Sequence, residues 1–301
     1  MRIRDKVFRW GERTYIMGII NATPDSFSGD GVLGRGDDWV DQAVAQGLQF
    51  VAEGADILDV GGESTRPGAE PVEEEVELAR VVPVIRALRE HTDVPISVDT
   101  YKAGVAEAAL DAGADMVNDV WALRMDPRMA SLVAERRVPV ILMHNRSQPK
   151  NAVMEARLGG RYVGMTYEDV VEDVKRELLE RVEFARSVGI PREMIILDPG
   201  IGFGKTVEQN LELLARLDEI AALGFPLLLG PSRKSFIGYT LNLPPAERVE
   251  GTAAAVAIGI DRGADIVRVH DVRYMVRVAR MTDAIVRRPR TRSAGSSDEG
   301  R

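Results

Sequence analysis

The chain contains no cysteine, so no disulfide can staple it and no thiolate can hold a metal; its stability has to come from packing and polar contacts. It has no apolar run near the roughly 18 to 20 residues that a membrane span needs, and its start, Met1-Arg-Ile-Arg-Asp-Lys6, lacks the apolar core of a secretory leader. A soluble, cytoplasmic protein is expected. Positive charge is short: the formal net charge of −8 disfavours a general nucleic-acid binder and leaves any phosphate recognition to a local cluster. Three histidines, none in an H-E-x-x-H arrangement, give a zinc hydrolase little support, and without a G-x-S-x-G elbow the commonest serine-hydrolase layout is gone.

What the chain does have is repetition. The 301 residues, 45% of them hydrophobic, could build one large α/β barrel or two small domains. Eight short apolar runs recur: Tyr15 to Ile20, Asp56 to Val60, Val94 to Val98, Asp115 to Asp119, Val138 to Met143, Met194 to Asp198, Phe225 to Gly230 and Asp265 to Val269. They lack the alternation of a one-sided sheet, as expected of parallel strands covered on both faces. Helical spacing separates them, for example Val40, Val44, Leu48 and Val51, or Val170, Val174, Leu178 and Val182. Thr166 and Asp169 stand as a capping-box pair for the second of these helices, and Glu73, Glu74 and Glu75 suit the positive end of another. Gly54-Ala-Asp56, Gly113-Ala-Asp115 and Gly263-Ala-Asp265 repeat one helix-to-strand turn, with glycine as a left-handed cap. The count of eight favours an α/β fold of a single (β/α)8, or TIM, barrel over residues 1–286. Residues 1–14, with Trp10-Gly11 as a turn, are expected to form a hairpin closing the barrel floor, and 287–301 a disordered tail.

In such a barrel the reactive face lies at the carboxyl ends of the strands, and here every strand exits into polar residues. The richest exit is Asp59-Val-Gly-Gly-Glu-Ser-Thr-Arg-Pro-Gly68: two glycines admit a ligand to the backbone, two hydroxyls are small donors, and Arg66 is a fork for an anion. Any one exit reads as a turn or helix cap; eight converging on one rim do not. Asp99, Asn118 and Asp198 suit a flat heterocycle with ring N–H and amine groups, whereas Arg66, Arg268 and His270 suit an anionic leaving group, giving the mouth a base-reading and an anion-holding side. Lys234 could serve either. Gly200-Ile-Gly-Phe-Gly-Lys-Thr206 misses the Walker spacing and reads as a flexible, substrate-facing loop.

These rim residues carry a resemblance. From Met17 to Val272 the chain closely resembles the dihydropteroate synthase family, through Met17-Gly-Ile-Ile-Asn-Ala-Thr-Pro-Asp-Ser-Phe-Ser28, the Gly61 to Gly68 loop, Ser97-Val-Asp-Thr100, Asn118-Asp119, Leu197-Asp-Pro-Gly-Ile-Gly-Phe-Gly-Lys205, Gly230-Pro-Ser-Arg-Lys-Ser235 and Arg268-Val-His-Asp271. The resemblance implies condensation of 6-hydroxymethyl-7,8-dihydropterin diphosphate with 4-aminobenzoate by a homodimer built on outer-ring helices. It implies Asn21 as the protein ligand of Mg²⁺ and Asp99, Asn118, Asp198 and Lys234 around the pterin, with Met143 as an apolar edge. Arg268 and His270 would take the diphosphate together with Thr65 and Arg66; Phe27, Pro67, Phe203 and Ser232 would line the aminobenzoate pocket, and Gly202 and Val269 would also touch substrate. Asp99, Asp198, Lys234 and Arg268 would be the catalytic set. After His144 the family commonly continues Met-Gln-Gly, and this chain reads Asn145-Arg146-Ser147 instead. A folate-binding corrinoid methyltransferase module, which shares the acidic rim, and a pterin-binding paralogue without turnover are the alternatives.

Overall fold

The computed structural model describes residues 1–22, 39–65 and 67–287. Phe27 and Arg66, the rest of the Thr23 to Ser28 segment and the tail from 288 lie outside them.

A short antiparallel hairpin, β1 (Arg2–Ile3) and β2 (Lys6–Val7), leads into the first barrel strand, β3 (Tyr15–Asn21). Helix α1 (Trp39–Glu53), β4 (Ile57–Gly61), α2 (Glu74–His91), β5 (Ile96–Asp99), α3 (Ala103–Ala112), β6 (Met116–Asp119), α4 (Met129–Arg136) and β7 (Val140–Met143) follow. A second small hairpin, β8 (Ala152–Val153) and β9 (Arg161–Tyr162), precedes α5 (Val170–Ser187), β10 (Ile195–Asp198), α6 (Val207–Ala215), α7 (Leu217–Ala221), β11 (Leu228–Leu229), α8 (Ser235–Leu241), α9 (Val249–Asp261), β12 (Ile266–Val269) and α10 (Val272–Val286). All eight expected strands form, paired in parallel in the order β10-β7-β6-β5-β4-β3-β12-β11. A parallel bridge between Leu197 and Leu227, with Leu197 N donating to Pro226 O at 2.9 Å, closes the ring. No helix among the described residues is long and apolar enough to cross a membrane.

Strand alternation sorts side chains between two layers. Ile16, Ile20, Leu58, Val60, Val98, Val117, Leu142, Leu197, Val267 and Val269 point outward into the main core against the helices. Tyr15, Met17, Ile57, Met116, Ile141, Ile196, Leu228 and Ile266 point inward and fill the lower barrel, where Ile3 and Phe8 of the amino-terminal segment plug the floor. The plug is as expected, and Trp10-Gly11 does form a turn, with Glu12 N donating to Arg9 O at 3.3 Å and Gly11 N to Asp265 Oδ1 at 2.9 Å; the hairpin itself reverses earlier, at Arg4, in a left-handed conformation.

Two local expectations need correcting. Helix α5 begins at Val170 and is capped by Asp169, whose carboxylate accepts from Val171 N and Glu172 N, so Thr166 and Asp169 form no capping box; a side chain adjacent to the helix reaches the free amides sooner than one three residues earlier. Arg287 belongs to the barrel, donating to Ala264 O and pairing with Asp283. Gly54, Gly113 and Gly263 all take positive φ, as the repeated turn requires.

Candidate active site

Above the apolar floor, the same inward alternation turns polar. It brings Asn21, Asp59, Ser97, Asp99, Asn118, Met143, Asp198 and Arg268 to one crater at the carboxyl end of the barrel.

Arg268 organises the crater. Its Nε lies 2.6 Å from Asp59 Oδ2 and its Nη2 2.6 Å from Asp99 Oδ2, so one guanidinium bridges β4 and β5. Asn118 Nδ2 donates to the same Asp59 oxygen at 3.2 Å. The acidic and basic groups are therefore interleaved and do not occupy separate sides, because buried carboxylates need a counter-charge within reach. Asp59, fully buried, heads the polar exit that the sequence singles out, with its role left open there; an aspartate in the middle of the apolar run Ile57 to Val60 was the available signal. Burial pushes Asp99 up to about 7, Arg268 opposing and Asp59 adding to the rise. Against the cost of burial, Asp59, Asp99 and Asp198 bias Arg268 towards its charged form.

Asp198, at the end of β10, accepts from Gly200 N at 2.7 Å and faces Lys234 across the crater. Burial raises Asp198, with Lys234 opposing, and lowers Lys234 to about 8, with Asp198 opposing. Lys234 Nζ donates to Ile201 O and lies 4.4 Å from the Phe203 ring centroid. Ser232 Oγ accepts from His270 N at 3.1 Å and sits 2.9 Å from its Nδ1, which fixes the imidazole at the rim.

The loop 199–206 is pinned, contrary to the flexible loop expected. Gly202 N donates to Asn210 Oδ1 at 2.6 Å, Tyr167 Oη to Gly204 O at 2.8 Å, and the buried Lys205 ammonium to Gly200 O and Phe203 O at 2.9 and 3.0 Å. Gly200 is required where it stands: φ is +71°, and a Cβ would lie 1.8 Å from His144 O. Gly202 lets the loop lie against the Lys234 chain, 2.8 Å from where its Cβ would be. The residues of this loop that carry glycine were legible as a motif; that its lysine turns inward was not.

Other expected residues divide. Thr65 and Pro67 follow β4, but Pro67 and Gly68 pack on Gly160 and Met154, beside the β8–β9 hairpin. The Val269 side chain is fully buried in the outer core, since alternation that turns Arg268 and His270 inward must turn Val269 out; only its backbone can meet a ligand. Asp119 also turns away, its carboxylate accepting from Trp121 N and Leu123 N at 2.8 Å to hold the loop after β6. A further missed pair roots the loop after β4: Glu63 accepts from Tyr101 Oη at 2.8 Å and Lys102 Nζ at 2.5 Å.

Among the described residues no group of three or more His, Asp or Glu could hold a metal. Asn21, half-buried and in register with Gly61, offers one neutral oxygen at the crater rim. That donor fits a hard cation such as Mg²⁺, which keeps most of its coordination for water and phosphate oxygens.

Residues 17–270 match the family described as pterin binding enzyme. The dihydropteroate synthase of Clostridium beijerinckii is 52% identical over 289 residues, 96% of this chain and 100% of that one. The structure of dihydropteroate synthase from Clostridium difficile in the presence of pteroic acid superposes with a TM-score of 0.84 at 49% identity, covering 94% of this chain and 100% of that one. That of Xanthomonas albilineans with 4-aminobenzoic acid gives 0.81 at 45%, covering 93% and 95%. With the crater, the barrel and near full-length identity in agreement, the chain belongs to the pterin-binding enzyme family, among the dihydropteroate synthases.

Proposed function

We propose that the crater joins 6-hydroxymethyl-7,8-dihydropterin diphosphate to 4-aminobenzoate, giving 7,8-dihydropteroate and diphosphate for folate synthesis. The carrying observation is a slot short of donors: among the described residues, Asp59 Oδ1, Ser97 Oγ and Asn118 Oδ1 are buried without a hydrogen-bond partner, on neighbouring inward positions of β4, β5 and β6. Buried acceptors left unpaired are costly, and a pterin presents ring N–H and amine donors to meet them. Relatives solved with pteroic acid and with 4-aminobenzoic acid support the same reading.

The proposed chemistry is a dissociative substitution. The bond from the pterin methylene carbon to the diphosphate oxygen breaks with its electron pair on oxygen, and Arg268 and His270 donate to the departing anion with Thr65 and Arg66. Asp99 and Asp198 stabilise the positive charge that spreads from the methylene into the ring, and Lys234 fixes the ring between them. Phe27, Pro67, Phe203 and Ser232 position 4-aminobenzoate, whose nitrogen forms the new bond and sheds a proton. Mg²⁺, held by Asn21 and diphosphate oxygens, would neutralise charge on the leaving group. Diphosphate release is expected to require both 4-aminobenzoate and Mg²⁺ in a coupled assay; pterin diphosphate bound without turnover would overturn the reading.

We also propose that the enzyme works in the cytoplasm as a homodimer. Tyr274, Met281 and Ile285 form one exposed apolar stripe on α10, and Ile258 lies exposed on α9, which supports an outer-helix interface. Light scattering that gave a monomer mass would sink the dimer.

A further inference from the structure

Lys205 is 2% exposed, and none of its hydrogen-bond partners is a carboxylate. Burial lowers Lys205 to about 7, with Asp198 opposing, and below that its ammonium has three donors for three acceptors: Gly200 O, Phe203 O and, at 3.0 Å, His144 Nδ1. For His144 Nδ1 to accept, the ring must be neutral with its proton on Nε2, and Nε2 lies 2.9 Å from Glu177 Oε2. Burial pushes His144 down to about 3, Lys205 adding to the fall, which keeps the ring uncharged at any working pH. Glu177 is in turn held by Arg146, whose Nε lies 3.0 and 3.2 Å from its two oxygens and whose Nη2 also donates to it. Arg146 stacks 4.2 Å over Tyr167, and Tyr167 Oη donates to Gly204 O, so the same arginine braces the far end of the loop.

The chain of contacts runs from Arg146, at a surface cavity of about 430 Å³, to the loop carbonyls, and that loop presents Ile201 O and Phe203 to Lys234. Arg146 stands in the stretch where the sequence leaves its family's usual spelling. We propose that Arg146, Glu177, His144 and Lys205 are a relay of positioning residues that sets the conformation of the 200–204 loop, and through it the aminobenzoate face of the crater beside Lys234. The proposal rests on the dihydropteroate synthase reading of that crater.

Steady-state kinetics of the full chain, with ring-nitrogen NMR of His144, test it. Losing the bonds to the two loop carbonyls, Gly200 O and Phe203 O, is expected to raise the KM for 4-aminobenzoate about tenfold in Lys205→Met, with kcat changing less than about threefold. Arg146→Gln and Glu177→Gln lie at the outer end of the relay and cover the case in which Lys205→Met does not fold; each should raise the same KM by about threefold or more, and Arg146→Lys should restore most of it. Below about pH 7, where Lys205 is charged, the His144 proton of the wild-type protein should reside on Nε2, with Nδ1 bare, and Glu177→Gln should loosen that preference. A proton on Nδ1 at that pH, or outer variants with unchanged KM for 4-aminobenzoate, overturns the relay. The ring measurement needs no turnover, so an inactive wild type would sink the proposed reaction while leaving the relay to be judged on its own.

Discussion

At the scale of single residues, Asp59 decides how the crater is set. Its one bonded oxygen holds both Arg268 Nε and Asn118 Nδ2, so the carboxylate orients an anion-binding guanidinium and a ring-reading amide together. Removing one partner of a buried ion pair costs about 3–5 kcal/mol, because the other charge is left stranded. Asp59→Ala is therefore expected to lower the unfolding midpoint and to cut kcat/KM about a hundredfold. Asp59→Asn, which keeps an acceptor for Nε, should lose less on both counts. Wild-type kcat/KM in Asp59→Ala would remove the orientation of Arg268 from the mechanism. Asp99 and Asp198 could be read from the sequence because each ends a strand, and Arg268 stands one residue short of a strand end; Asp59, one alternation lower, was legible as the head of a polar exit but not as the partner of Arg268. Lys205 was hidden differently: nothing in a glycine-rich spelling says that its lysine turns inward to hold carbonyls.

At the scale of elements, strands were the most legible part of the chain, since eight β-branched runs without alternation can only be covered on both faces. Their ends carried the site because alternation fixes which rim residues look in, and the same rule turns Val269 out. Helix starts were less legible, as the α5 cap shows. Asp169 receives two backbone N–H groups, at 2.8 and 3.0 Å, and also pairs with Arg216. Asp169→Ala should cost about 1 kcal/mol of stability, the usual loss for a capping side chain, while Thr166→Ala should leave the cap intact. Urea unfolding of the two variants distinguishes them; equal losses would restore a role for Thr166 at the helix start. The loop 199–206 gives a sharper case, because a methyl group at Gly200 meets the His144 carbonyl, which belongs to β7's exit and cannot retreat without moving the crater. The sequence showed glycine there but not the neighbour that demands it.

At the scale of the whole molecule, the charged interior makes stability depend on pH in an unusual way. Asp99 and Asp119 titrate at about 7 and about 6 in the folded chain against 3.8 when unfolded, so across that interval the folded chain holds the extra protons and stability falls as pH rises. His144, at about 3 against 6.5, works the other way, as does Glu177, at about 2 against 4.5. The Glu177 contribution is complete by about pH 4.5, below most of the range in which Asp99 and Asp119 ionise, which leaves His144 one group against two. Above neutrality the sign reverses: Lys205 and Lys234 titrate at about 7 and about 8 when folded against 10.5 when unfolded, so the unfolded chain holds the extra protons and stability climbs with pH until about 10.5. The ligand-free protein is therefore expected to have a stability minimum near pH 7, where buried acids are forced to ionise and buried lysines to stay charged. Urea midpoints at about pH 5, 7 and 9 measure it. Asp99→Asn should flatten the acid side and Lys234→Met the alkaline side. A maximum at neutrality would mean that the Arg268 bridge keeps Asp99 ionised throughout, with ion pairing outweighing burial in the crater. If the minimum is found, pterin diphosphate should fill it, since its donors meet the orphaned acceptors and its anion meets Arg268 at the pH where the empty crater is least stable.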